Sequence, residues 1–458
     1  MKTAFSGWRY LWKSQDIRRK LLVTLLILVI YRLAANVPVP GINREALASL
    51  IQSSNQSGFF LAFLDLLSGG TISSFSVLAM GVYPYITAQI IIQLLLPIFP
   101  SLQRKFQEDP REGRKLQERW TYYLSIPMAA LSAIGQINIF NSYSRGGQIV
   151  AFGFTSELWL PSLAVLMTMV GGTMFAIWLG ELISEFGIRG QGLSLIIFAG
   201  IVARMPHNVG VIWSDENTRW PMLITMLVII VATIFVIVYV QQGRRNVPVM
   251  YPGRRVGNRM SMPVKGSLPL MVNMAGMIPL IFAGALLQLP SVISSYFLNP
   301  NRYSEKVVNF ATAVNNLFNA SGPYDWVYWL IYFLFVVVFT FFYTDVLFTQ
   351  QNYGENLKKV GAQIPGVNRG APTQKYLSKV QRRITFPGAF FLGVVAVLPY
   401  LIQLALNAAG IASQTSSSTI FLVSSAGLLI VVGVVRDTFL NIDAELKLHG
   451  YDDAHLVK

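Results

Sequence analysis

The stretch GFFLAFLDLLSGGTIS, residues 58–73, runs directly into FSVLAMGVYPYITAQIIIQLLLPIF, residues 75–99. Gly58 to Leu67 reads as a short apolar helix with a single acid, Asp65, and it stops at Gly69-Gly70. A membrane span needs roughly 20 apolar residues, and shorter runs mark buried or re-entrant pieces. The pair is therefore a half-length helix followed by a full-length one. Backbone that fails to cross is tolerated at membrane depth only inside protein or beside a water-filled cavity. The alternative is an external helix lying at the interface. Which of the two holds decides whether this chain is a plain helical bundle or is folded around a cavity.

The rest of the 458-residue chain supports a membrane setting. It is 53% hydrophobic and only 12% charged, against about 25% charged for a soluble domain. Ten hydrophobic segments read as spans: Leu21–Val37, Phe75–Phe99, Trp120–Phe140, Leu158–Leu182, Leu193–Val202, Pro221–Val240, Leu268–Tyr296, Trp326–Phe348, Phe386–Ala408 and Ile420–Phe439. The fifth is the shortest. The first is followed by Pro38-Val39-Pro40-Gly41 rather than a small-residue cleavage site, so no cleavable signal peptide is expected.

The net charge of +15 is concentrated in alternate connections. Arg18, Arg19 and Lys20 precede the first span, and Arg104, Lys105, Arg111, Arg114, Lys115 and Arg119 follow the second. Arg244 to Lys265 follow the sixth, and Lys358 to Arg383 follow the eighth. The intervening connections hold only one to three basic residues each, such as Arg44, Arg145, or Arg302 with Lys306. Cytoplasmic loops carry the basic excess, so ten spans place both termini and every strongly basic loop in the cytosol. The connections 241–267 and 350–386 exceed the two to eight residues that usually join helices, which marks them as functional. The expected organisation is a cytosolic tail (1–20), a first half with spans one to five (21–205), a second half with spans six to ten (206–440), and a C-terminal tail (441–458). The span order allows two five-helix halves of inverted topology, as in many translocation proteins. The fold class is all-α and polytopic.

Several chemistries lack their residues. Cysteine is absent, and His207, His449 and His455 offer no ligand spacing. No phosphate-binding Gly-rich loop, His-Glu-x-x-His or Gly-x-Ser-x-Gly motif occurs. Ionisable residues within spans are few, and Arg32, Asp345, Arg436 and Asp437 lie near span ends where they snorkel. Glu181 and Glu185 sit at the cytosolic mouth of span four. No catalytic role, metal or cofactor is expected. A secondary transporter of a small solute is the alternative class, but it would need polar ligands at the midplane.

The chain resembles the SecY family of protein-conducting channels. The pieces that carry the resemblance, in order, are VPVPGI (37–42), LLSGG (66–70), MGVYPYITAQIIIQLL (80–95), GTMFAIWLGELISEFGI (172–188), SLIIFAGIV (194–202), LPLMVNMAGMIPLIFA (268–283), FFYT (341–344), ENLKKVGAQIPGV (355–367) and LLIVVGVVRD (428–437). The resemblance implies that 58–70 is a plug closing the pore from outside, with Phe59, Phe60, Leu61, Phe63, Leu64, Asp65, Leu67, Gly69 and Gly70 as its residues. It implies that the two inverted five-helix halves surround a central pore, with an apolar pore ring of Val82, Ile86, Ile197, Ile281, Leu286 and Ile430. It implies a lateral gate between spans two and three and spans seven and eight, with the amides of Gln93 and Asn273 in it. Arg254, Arg255, Lys358, Lys359, Asn368 and Arg369 are the expected docking positions for a SecA-type motor ATPase or a translating ribosome through its rRNA. Small SecE- and SecG-type subunits, unfolded preprotein and membrane lipid are the other implied partners. The implied location is the bacterial cytoplasmic membrane. Two loops depart from the family pattern. Where the family reads Pro-Gly-Ile-Arg-Pro-Gly, this chain has IPGVNRGAPT (364–373), so Asn368 occupies the arginine position and Arg369 follows it. GIRGQG (187–192) replaces the usual GIGNGI.

Overall fold

The computed structural model describes residues 15–43, 75–95, 99, 110–143, 149–150, 152–153, 158–188, 190–213, 219–252, 255–256, 259–260, 264–295, 297, 304–318, 325–408 and 425–448. Each of the ten apolar segments carries a helix. They are α1 (Gln15–Ala34), α2 (Tyr83–Leu95), α3 (Pro110–Tyr143), α4 (Trp159–Phe186), α5 (Gly192–Trp213), α6 (Arg219–Gln242), α7 (Ile278–Ser295), α9 (Asp325–Gln351), α11 (Ala371–Ala408) and α12 (Ser425–Leu448). Two shorter helices intervene, α8 (Glu305–Leu317) and α10 (Tyr353–Lys359). Among the described residues, four segments are long and apolar enough to cross a membrane by themselves: Trp159–Phe186, Leu223–Gln242, Asp325–Lys359 and Ala371–Ile402. Exposed apolar side chains recur along α6, at Ile224, Leu227, Val228, Val231, Phe235 and Tyr239. Such a helix is stable only with lipid or protein against that surface.

Several boundaries depart from the apolar runs: α2 starts only at Tyr83, α3 and α11 start ahead of their runs at Pro110 and Ala371, α12 runs on to Leu448, and two further cases have a local reason. The fifth run ends at Val202, yet α5 continues to Trp213 through Pro206, because neighbouring helices can re-satisfy the carbonyls a proline frees. The seventh run begins at Leu268, but Leu268–Met271 is strand. Leu268 and Leu270 alternate with Pro269 and Met271, and that two-residue period suits a strand with one buried face. The helix starts only at Ile278, after a turn at Gly276 with φ +65°.

The stretch 241–267, read from sequence as a loop, is therefore mostly a hairpin. Strand β1 (Arg244–Tyr251) pairs antiparallel with β4 (Val264–Met271), from Arg244↔Met271 to Tyr251↔Val264. Between them the two-residue strands β2 (Arg255–Val256) and β3 (Arg259–Met260) also pair. Val247 and Val249 are buried while Arg244 and Arg245, at the start of the strand, are exposed. An isolated hairpin is marginal in water, and this one leans on the other long connection. The Met250 N–H donates to the Gln363 carbonyl at 2.8 Å, and the Gln363 N–H donates back at 2.9 Å. Beneath that bridge Val247, Val249, Leu270, Phe348, Ala362, Ile364, Leu377, Val380 and Ile384 form one apolar core. The two long basic connections make a single body.

Among the described residues, four further clusters lie in the helical part, and two of them matter here. One gathers α1, α4, α5 and α12 around Tyr31, Ala176, Ile183, Ile196 and Val434. The other gathers α6, α7, α9, α11 and α12 around Ile237, Leu280, Trp329, Val336 and Leu392. Close approach of α4 to the segment before α2 depends on Gly172, where a Cβ would collide with the Val77 carbonyl oxygen.

Candidate pore, gate and docking surface

Of the six expected ring residues, Val82, Ile197 and Ile430 lie in the first cluster, each at most 2% exposed. They arrive from three elements: the turn ahead of α2, the first turns of α5, and α12. Ile281, on α7, lies in the second cluster at 3% exposed. Ile86 packs against both clusters, as does Met277, one residue before α7. The Ile86 N–H donates to the Val82 carbonyl at 3.1 Å, which puts those two side chains one turn apart on one face. Leu286 is half-buried, and among the described residues it belongs to neither cluster, while its neighbour Leu287 belongs to the second. Ile86 and Met277 are thus two apolar side chains that touch both clusters, alongside α12, which contributes to each. The ring residues Val82, Ile86, Ile197, Ile281 and Ile430, together with Met277, are all uncharged and aliphatic or thioether. They can exclude water and ions, and they have no group for proton transfer or nucleophilic attack.

The two gate amides behave differently. Gln93, on α2, accepts a hydrogen bond from the Tyr343 hydroxyl of α9 at 2.7 Å. Asn273 turns inward on its own segment: the Gly276 N–H donates to its Oδ1 at 3.0 Å, and its Nδ2 donates to the Gly276 carbonyl at 3.2 Å. That closed turn supports the positive φ of Gly276 and starts α7. Gln93 reaches a helix of the other half, and Asn273 stays local. Tyr343 was not singled out from sequence. It lies inside the FFYT stretch, but the pairing spans 250 residues and no local pattern reports it.

On the basic body, Lys358 and Lys359 occupy the last turn of α10, where cations suit the carbonyl end of a helix. Both are exposed, as are Asn368 and Arg369. Thr373 Oγ1 donates to the Asn368 carbonyl at 2.7 Å, which holds that turn, and the Arg369 guanidinium donates to Gln363 Oε1 at 3.3 Å. Arg369 is thereby tethered to the residue that bridges the hairpin. A groove of about 950 Å³ lies beside it, lined by Lys358, Lys375, Lys379, Arg382 and Arg383, with Glu355 as its acid. Arg382 forks onto Asp345 at 2.8 to 3.2 Å and joins α11 to α9. Of the remaining expected residues, the plug positions Phe59 to Gly70 and Arg254 lie outside the described residues. Arg255 is described as β2 backbone, paired with Met260. Among the described residues no group of three His, Asp or Glu could hold a metal ion.

Comparison with known proteins follows the same lines. A family model described as SecY matches residues 76–439. The protein translocase subunit SecY of Aquifex aeolicus is 38% identical over 443 residues, covering 95% of this chain and 96% of that protein. The corresponding subunit of Thermotoga maritima is 36% identical, covering 96% and 95%, and that of Streptomyces griseus is 34% identical, covering 98% and 99%. Two solved structures share the fold at 18% identity, each covering 95% of both chains. One is a protein-conducting channel with a TM-score of 0.56. The other, at 0.58, is a SecY protein whose plug domain is described as stabilising the closed state and maintaining a membrane seal.

Proposed function

The chain belongs to the SecY family, and on that premise we propose how it conducts protein. It is the pore subunit of a protein translocase, passing unfolded polypeptide across a membrane and releasing apolar segments sideways into lipid. The observation that carries the reading is that Ile86 and Met277 touch both apolar clusters, with Val82, Ile197 and Ile430 in one and Ile281 in the other. A narrow apolar collar sheds water and opposes ion passage, yet it yields around a chain. Leu286 is the weakest member of the collar, being half-buried and outside both clusters. Residues 58–70 serve as the plug beneath it. The halves 21–205 and 206–440 hinge apart between α2 and α3 on one side and α7 and α9 on the other. The channel itself catalyses no reaction.

The driver docks on the basic body. Lys358, Lys359 and Arg369, which are exposed, together with Arg254 and Arg255, suit an acidic motor of the SecA type or ribosomal RNA phosphate. Asn368 sits in the usual arginine position, and Arg369, one residue on, takes over that role. SecE- and SecG-type subunits cover the exposed flanks. The location is the bacterial cytoplasmic membrane, with both termini in the cytosol. Helix α9 carries Phe348 in the docking core and Tyr343 at the seam with α2, so docking and lateral exit share one rigid element.

The test is bilayer conductance of the purified complex. Serine at Val82, Ile86, Ile197 and Ile281, combined with deletion of 60–67, is expected to raise the resting ion leak at least tenfold, because a wetted collar no longer excludes ions. A variant as ion-tight as wild type refutes both collar and plug.

A further inference from the structure

Resting on the channel reading above, we propose that Tyr343 is a latch: its hydroxyl, bonded to Gln93 Oε1, ties α9 to α2 and sets how apolar a segment must be to part them. The bond is 2.7 Å long, and Tyr343 is only 5% exposed, so its hydroxyl has little access to other partners. The two residues come from helices on opposite sides of the seam. Asn273, the other amide of the region, is occupied within its own turn and leaves this tie to Gln93.

The tie discriminates because of what replaces it. A phenol and an amide separated into lipid lose a hydrogen bond and gain none. Separated toward water or a hydrated segment, both are solvated again at little cost. Lateral opening toward lipid therefore carries a penalty that opening along the aqueous axis does not. Only a segment whose own transfer into lipid exceeds that penalty leaves sideways. An ordinary structural contact would add stability without shifting this balance.

Two single variants and their combination separate these cases. Tyr343→Phe keeps the ring and removes only the hydroxyl, leaving Gln93 Oε1 without its donor. Gln93→Leu leaves the hydroxyl without its acceptor. The double variant removes both polar groups and restores an apolar contact. The probe is a series of about 19-residue Leu/Ala test segments, inserted by the complex in proteoliposomes. Each single variant is expected to raise the inserted-to-translocated ratio of a threshold segment about threefold, the change that roughly 0.6 kcal/mol converts to. The double variant is expected to stay at or below threefold, well short of the ninefold that independent effects would multiply to. An active wild type with unshifted single variants overturns the latch alone, and so does a double variant that reaches the full product. A wild-type complex that neither inserts nor translocates any segment overturns the channel reading and the latch with it.

Discussion

Replacing Leu377 with alanine tests whether the two basic connections are one body. Leu377 is fully buried on α11, in the core that contains Val247 and Val249 of β1, Phe348 of α9 and Ile364 beside the hairpin bridge. Truncating a buried leucine typically costs about 2–5 kcal/mol, depending on how far the site collapses. The hairpin has little stability of its own, and outside this core it is tied on by the backbone bridge between Met250 and Gln363. The loss should therefore fall on the contact between hairpin and loop, not on the distant membrane clusters. A 2 kcal/mol loss is roughly a 30-fold change in an opening equilibrium. Amide hydrogen exchange of residues 244–251 is expected to accelerate by at least that factor, since exchange reports local opening. Residues 425–435 of α12, packed in other clusters, serve as the internal control and should be unchanged. Unchanged protection of β1 in the variant would refute the single-body argument and make the hairpin an independent unit.

Two more outcomes follow from the same packing. Reversing charge at Lys358, Lys359 and Arg369 should weaken docking of a motor or ribosome at least tenfold while leaving thermal unfolding within about 0.5 kcal/mol, because these side chains are exposed. Binding measured against ionic strength should show a shallower salt dependence in the reversed variant, and unchanged affinity would remove this face from docking. Gly172→Val should destabilise the complex by about 1–3 kcal/mol in detergent melts, because the new side chain meets the Val77 backbone. A neutral result there would mean that α4 and the segment before α2 separate without cost.

Much of this architecture is written locally. Runs such as Pro221–Val240 and Val327–Val346 are helical wherever they occur in a membrane, because lipid offers no partner for free backbone groups. Clusters of Arg and Lys mark one side for the same kind of reason, the cost of moving charge through hydrocarbon. Element boundaries were less legible. LPLM at 268–271 is apolar enough to continue a span, but it forms strand because Arg244 to Val247 stand opposite it.

What the chain alone determined is its class, the ten helical segments, and the two basic connections too long to be mere links. Each of these follows from composition within a window of some twenty residues. Tertiary structure alone decided that Met250 pairs with Gln363 and fuses those connections, that Gln93 meets Tyr343 while Asn273 closes its own turn, and that Ile86 touches both clusters. Apart from the local turn at Asn273, these contacts join residues far apart in sequence. Neither partner's local surroundings favour the pairing until packing of the helices brings them within bonding distance.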